Sequence, residues 1–294
     1  MGSTSHDVGT LSPGAHTFTV DGVRQVYHVA GTGPVCVAHS GGPGIEWAYL
    51  RTPGLEEHFT MVYVEPVGTG ASGRLDNPDD YRLATYVRFL DAVVEHLGEP
   101  RVYLLGHSHG GFVVQRYALD HPDRVAGLVL YDTSPVTGAE FWAEAMANLA
   151  AYPQRHPDRP EATDVPHAFE RYGVAADDEA LATALRAAIP VYFADFWGRQ
   201  AEFAPLQAAV RVWMTPARSN DPTPFDVRDR LGEITAPAVV IVGAHDFICG
   251  PRYAEELHAG LKDSRLVVLE QSGHFAHVEQ PAEFTEAVVE LLTR

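Results

Sequence analysis

Three side-chain types that together turn a weak nucleophile into a strong one occur late in apolar runs of this 294-residue chain: Ser108, Asp246 and His274. Ser108 lies in Gly106-His107-Ser108-His109-Gly110, a match to the pattern G-x-S-x-G. A serine hydroxyl attacks a carbonyl poorly until a base takes its proton, and histidine can be that base near neutral pH. A carboxylate on the other imidazole nitrogen fixes the tautomer and stabilises the imidazolium. The chemistry expected is acyl transfer through an acyl-serine, with Ser108 as nucleophile, His274 as base and Asp246 as acid partner. Asp132, at the end of an earlier apolar run, is the rival acid; His277 is read as structural.

Acyl transfer also places negative charge on the former carbonyl oxygen. Each backbone donor aimed at that oxygen contributes roughly 3–4 kcal/mol to the transition state. The N–H of His109, the residue after the nucleophile, is one candidate. Gly41-Gly42-Pro43-Gly44 lets backbone approach a substrate closely, so the Gly42 N–H is the second, with Gly41 beside it.

The elements must hold these residues together. Val102–Leu105 reads as a strand, and the spacing of Val113, Val114, Tyr117 and Ala118 reads as a helix stopped by His121-Pro122. Ser108 is therefore expected on a sharp strand–turn–helix, where Gly106 and Gly110 give clearance and the helix N-terminus is positive. Thr17–Val20 and Arg24–Val29 flank Asp21-Gly22, a hairpin signal. Val35–Ala38, Thr60–Val64, Val125–Tyr131, Ala238–Val242 and Arg265–Leu269 are further strands, and residues 81–98 form an amphipathic helix. This alternation predicts a mostly parallel sheet with helices on both faces. In such a sheet, residues just past the carboxyl ends of strands meet at one edge. Ser108, Asp246 and His274 each follow a strand.

Between residues 135 and 234 the alternation stops. Stripes at Trp142, Met146 and Leu149, at Leu181, Leu185, Ala188 and Ile189, and at Leu206, Val210 and Trp213 read as helices. Prolines at 153, 157, 160, 166, 190, 205, 216, 222 and 224 break the region into short pieces. The expected organisation is a core of residues 1–134 and 235–294 carrying a helical cap over 135–234.

Composition narrows the partners. A net charge of −18 disfavours nucleic acid, whose phosphates it would repel. No run approaches about 18 apolar residues, so no membrane span is expected. The start, Met-Gly-Ser-Thr-Ser-His-Asp, lacks the basic and apolar parts of a secretory signal. The two cysteines, Cys36 and Cys249, imply no disulfide framework, and a cytoplasmic location is the expectation. Two patterns are set aside. Gly68-Thr69-Gly70-Ala71-Ser72-Gly73 matches a dinucleotide fingerprint but runs into the turn Arg74-Leu75-Asp76-Asn77-Pro78, so no cofactor is expected. His107 and His109 have no further ligand close by in sequence, so no metal is expected.

The serine turn, the late Asp and His and the helical insertion resemble the α/β-hydrolase fold. His39-Ser40-Gly41-Gly42-Pro43-Gly44 resembles the His-Gly-Gly-Pro-Gly stretch of its proline iminopeptidase branch. Glu65-Pro66-Val67-Gly68-Thr69-Gly70-Ala71-Ser72 is similar to that branch's Asp-Gln-Arg-Gly-x-Gly-x-Ser. The stretch from Gly243 to Pro251 is similar to its acid loop, which implies that Cys249 lies near the substrate. The resemblance implies a cofactor-free serine hydrolase of a small molecule or short peptide, in its sharpest form an aminopeptidase removing N-terminal proline or another small residue. Ser40 interrupts the first motif, and Glu-Pro-Val replaces Asp-Gln-Arg in the second. The branch grips the substrate's α-amino group with cap glutamates in stretches not found here; Glu202 is the nearest candidate, with Glu140 and Glu144 behind it. That loss keeps open an enzyme of the same fold acting on an ester, lactone or thioester of a secondary metabolite, or a non-catalytic binding protein on this scaffold.

Overall fold

Runs rich in valine, isoleucine and tyrosine pair into an eight-stranded sheet in a computed structural model that describes residues 9–214 and 225–293. The strands are β1 (Gly14–Val20), β2 (Val23–Gly31), β3 (Val35–His39), β4 (Thr60–Glu65), β5 (Val102–His107), β6 (Val125–Tyr131), β7 (Ala238–Gly243) and β8 (Ser264–Leu269). Their spatial order is β1-β2-β4-β3-β5-β6-β7-β8. β1 and β2 form the expected hairpin, with Asp21 and Gly22 both at positive φ, as a two-residue turn of this hand requires. β2 meets β4 antiparallel, and every pairing from β4 to β8 is parallel.

The longer helices are α1 (Leu83–Leu97), α2 (His109–Asp120), α3 (Ala139–Ala150), α4 (Asp164–Gly173), α5 (Asp178–Ala188), α6 (Gln200–Ala209), α7 (Pro251–Gly260) and α8 (Pro281–Val289). Successive strand residues point to opposite faces. Val37, Leu104, Leu128 and Val240 therefore pack on one side with α1, α2 and α7, while Cys36, Leu105, Val129 and Ile241 pack on the other with α8. Both faces are covered, so the central strands are apolar throughout. α1 buries Tyr86, Val87, Leu90, Val93, Val94 and Leu97 and stops where Gly98 turns left-handed at φ 73°.

Helices α3 to α6 fill the chain between β6 and β7, and the excursion is stitched at its base. Val136 and Asp226 form a bridge, Thr137 N donates to Phe225 O at 2.7 Å, and Val227 N donates to Pro135 O at 3.0 Å. Three details differ from the sequence reading. In α3 the buried side carries Phe141, Ala145 and Leu149, while Trp142 and Met146 are exposed. The stripe at Leu206, Val210 and Trp213 is not one helix: α6 ends at Ala209, and the chain becomes extended to pair Val212 with Ile45. Pro153, Pro160 and Pro190 lie in the first turns of short helices, where no N–H is needed, but Pro205 lies within α6 instead of breaking it. Pro216, Pro222 and Pro224 lie outside the described residues, as does the N-terminal stretch read for a signal. Among the described residues no helix is long and apolar enough to cross a membrane.

Candidate active site

Parallel pairing of β3, β5, β6, β7 and β8 puts the loops after those strands at one edge of the sheet. Ser108 follows β5 directly and precedes the first residue of α2, with φ 53° and ψ −119°. A left-handed angle at a non-glycine residue is strained, and strain of this kind persists where packing over-determines it. The flanking glycines supply that packing. A Cβ at Gly106 would sit 2.5 Å from Gly110 O, and one at Gly110 would sit 2.2 Å from His39 O. The serine is thus pushed out of the sheet line, half-buried, at the start of a twelve-residue helix.

Asp246 lies three residues past β7 and His274 five past β8. Asp246 Oδ2 meets His274 Nδ1 at 2.7 Å, with both side chains buried. The other oxygen, Oδ1, accepts from Ile248 N at 2.9 Å and Cys249 N at 3.1 Å. The carboxylate is therefore oriented by its own loop, and it fixes a proton on His274 Nδ1. That leaves Nε2 as the imidazole's basic nitrogen. His274 N donates to Tyr192 O at 2.7 Å, tying the histidine loop to the inserted helices.

A second network, not foreseen from sequence, lies behind these residues. Gly41 N donates to Tyr49 Oη at 2.7 Å, Tyr49 Oη lies 2.6 Å from His107 Nδ1, and His107 Nε2 lies 2.8 Å from His274 O. The carbonyl can only accept, so Nε2 carries the proton of His107. Burial, followed by the nearness of His274 and His277, holds His107 well below the usual imidazole range, so it is neutral and Nδ1 accepts from Tyr49. The loop at Gly41, the residue before Ser108 and the backbone of His274 are thereby bonded in series. His277 joins the same layer: its N donates to Tyr131 Oη at 3.1 Å, its Nδ1 meets Tyr131 Oη at 2.8 Å and its Nε2 meets Tyr49 O at 2.7 Å. Burial lowers His277 to about 4 and His109 to about 3, so both rings are uncharged at neutral pH. No sequence signal pointed to Tyr49, whose partner lies 58 residues away.

The remaining sequence candidates divide cleanly. Gly41, Gly42, His109 and Cys249 all border the cavity into which Ser108 opens. Gly42 has φ 119°, a backbone angle that L side chains rarely adopt. The three glutamates do not reach that cavity, and the expectation for them is corrected. Glu202 pairs with Arg199 at 2.6 Å on the surface. Glu140 and Glu144 both pair with Arg252, at 2.6 and 3.1 Å, and Glu144 also accepts from Tyr253 Oη. Each has an arginine partner in reach and water around it, which is a better setting for a carboxylate than an apolar wall.

The cavity has two lobes that meet at Ser108. The smaller, of about 90 Å³, is bordered by His274 with Tyr192, Leu185, Ile189 and Phe275. The larger, of about 620 Å³, is bordered by His109 with Phe112, Phe141, Tyr86 and Leu83. Trp142, exposed in the fold, forms part of both walls, which explains an apolar side chain facing outward from α3. Among the described residues neither lobe is bordered by an aspartate, glutamate, lysine or arginine. His107, Asp132 and His274 also lie close enough, within 4.8 Å, to suggest metal ligation. Both nitrogens of His107 and Nδ1 of His274 already hold hydrogen bonds, so this donor set is committed to the protein itself.

Residues 33–281 match the model of the alpha/beta hydrolase fold family, and the chain belongs to that family. Among curated relatives it is 24% identical to a proline iminopeptidase of Saccharolobus solfataricus, over 94% of this chain and 90% of that protein. It is 25% identical to a 2-hydroxy-6-oxo-6-phenylhexa-2,4-dienoate hydrolase of Comamonas testosteroni, over 90% of each. The fold superposes on a hydrolase from Pseudomonas aeruginosa with a TM-score of 0.71 and 25% identity, covering 95% of this chain and 98% of that one.

Proposed function

We propose that this protein is a serine hydrolase of uncharged carboxylic-acid derivatives, with esters, lactones and thioesters ahead of amides. Ser108 is the nucleophile, His274 its base and Asp246 the carboxylate that orients the base. The N–H groups of Gly42 and His109 receive the oxyanion. The observation that carries the reading is that a strained Ser108 and His274, the latter held at Nδ1 by the buried Asp246, border one cavity whose described walls bear no aspartate, glutamate, lysine or arginine. Such walls favour a substrate that brings no charge with it, since an unpaired buried charge costs several kcal/mol. The helices between β6 and β7 serve as a cap that excludes water from the acyl-enzyme.

An aminopeptidase of the proline iminopeptidase type is the second reading. The glycine-rich loop at Gly41–Gly44 and the Saccharolobus relative favour it. It requires a carboxylate at the substrate's ammonium, and the three glutamates considered for that role are occupied at the surface. A fluorophosphonate should label Ser108 stoichiometrically, as mass spectrometry would locate. Aminoacyl anilides with free and acetylated amines should then be cleaved at similar kcat/KM, below the rates on short neutral esters. An adduct elsewhere, or none in folded protein, removes the enzyme reading. A preference of 10²-fold or more for the free amine restores the aminopeptidase to first place.

A further inference from the structure

The tetrahedral carbon formed at Ser108 carries three groups besides the serine oxygen, and the site offers each a direction. The oxyanion goes to the backbone donors at Gly42 and His109. The leaving group must take a proton from His274, so it has to lie where that imidazole is exposed. His274 borders the smaller lobe and not the larger, whereas His109 borders the larger and not the smaller. The acyl group takes the remaining direction. The two lobes differ roughly sevenfold in volume, 620 against 90 Å³.

We infer that the enzyme hydrolyses substrates with a bulky apolar acyl group held in the larger lobe and a compact leaving group held in the smaller. This rests on Ser108 and His274 acting as proposed above. Aromatic rings at Phe112, Phe141 and Tyr86 suit an aryl or long alkyl acyl chain, and among the described residues the larger lobe offers no charged partner for a polar one. Leu185, Ile189 and Phe275 close the smaller lobe around a short alcohol, thiol or amine. In the reaction, Ser108 Oγ bonds to the carbonyl carbon while its proton passes to His274. The bond from that carbon to the leaving oxygen then breaks as His274 returns the proton to it, and the small alcohol departs through its own lobe. Water repeats the two steps, releasing the bulky acid and restoring the serine.

Two isomeric esters separate this partition from simple hydrophobicity. Methyl hydrocinnamate and phenethyl acetate contain the same atoms and differ in which side of the ester bears the ring. Methyl hydrocinnamate should be preferred by about tenfold or more in kcat/KM, the scale on which a pocket rejects a group it cannot hold. Leu83→Trp, which fills part of the larger lobe, should reduce that ratio several-fold. Equal rates, or a preference for phenethyl acetate, overturn the partition. So does failure to cleave either ester by protein whose Ser108 is labelled by a fluorophosphonate. Absence of that label defeats the parent reading instead, and so keeps the two failures apart.

Discussion

Asp132 and Asp246 follow neighbouring strands and are both buried, but they are differently engaged. Asp246 spends one oxygen on His274 and the other on two backbone N–H groups. Asp132, held at φ 43°, accepts from Gly243 N at 2.8 Å through Oδ1, and its Oδ2 has no hydrogen-bond partner. Burial, reinforced by the nearby Asp246 carboxylate, pushes Asp132 well above the usual carboxylate range and favours its neutral form. Replacing Asp246 by Asn should leave the fold intact and lower kcat by about 10⁴, through the wrong histidine tautomer. Asp132→Asn substitutes a neutral amide for a neutral acid and should keep kcat within a few-fold of the parent. Steady-state rates of the two variants decide the matter; the opposite order would mean that Asp132 is the working acid. Sequence order brought both aspartates to the same edge with Asp246 ranked first, and it is Asp246 that bonds to His274 Nδ1.

At the scale of elements, the loops after β3, β5 and β8 are bonded through Tyr49 and His107 rather than merely packed. Tyr49→Phe removes the acceptor of Gly41 N and the donor to His107, leaving two buried groups unpaired. A loss of about 1–3 kcal/mol is ordinary for such a change. If it falls on the Gly41–Gly44 loop, which we propose binds the oxyanion, kcat should drop roughly 10- to 100-fold with KM little altered. An unchanged kcat with a lowered melting temperature would reduce Tyr49 to a packing role. The strands, α1 and the serine turn were legible because periodicity and glycine spacing are local properties. α6 was not, because its third apolar stripe belongs to an extended segment whose partner, Ile45, lies far back in the chain. Glu140, Glu144 and Glu202 misled for a related reason: composition marks a carboxylate, but not the arginine that occupies it. His277 was read as structural, and its bonds to Tyr131 and Tyr49 give that reading a geometry.

Across the whole molecule, Glu279 clasps the inserted helices to the histidine loop. Its carboxylate accepts from Gly273 N at 2.6 Å and Ala194 N at 2.9 Å, beside the bond from His274 N to Tyr192 O. Burial raises Glu279 from 4.5 to about 7, against the pull of those backbone donors. A carboxyl with a raised folded value binds its proton more tightly in the native state, so its ionisation weakens the fold. The contribution is complete below the unfolded value and is lost as pH climbs to about 7. By the usual 1.36 kcal/mol per pH unit, that is about 3 kcal/mol. Denaturant titrations of the parent and Glu279→Gln should show the parent's stability relative to the variant falling by this order between about pH 4.5 and 8. A constant difference would mean that Glu279 does not titrate in this window.

The stitch at Val136 and Asp226 has a further meaning. Seen from β6 and β7, which are neighbours in the sheet, the helices between them are one excursion that leaves and returns at a single point. The entropy of closing such an excursion grows only with the logarithm of its length. Insertions or exchanges beyond the stitch therefore place little load on the strands that hold Ser108, Asp246 and His274. The clasp at Tyr192 and Ala194 and the bridge from Val212 to Ile45 are the conditions that any replacement has to keep. On the function proposed above, choice of substrate is in this sense a detachable property of the chain, and the bond-breaking chemistry is not.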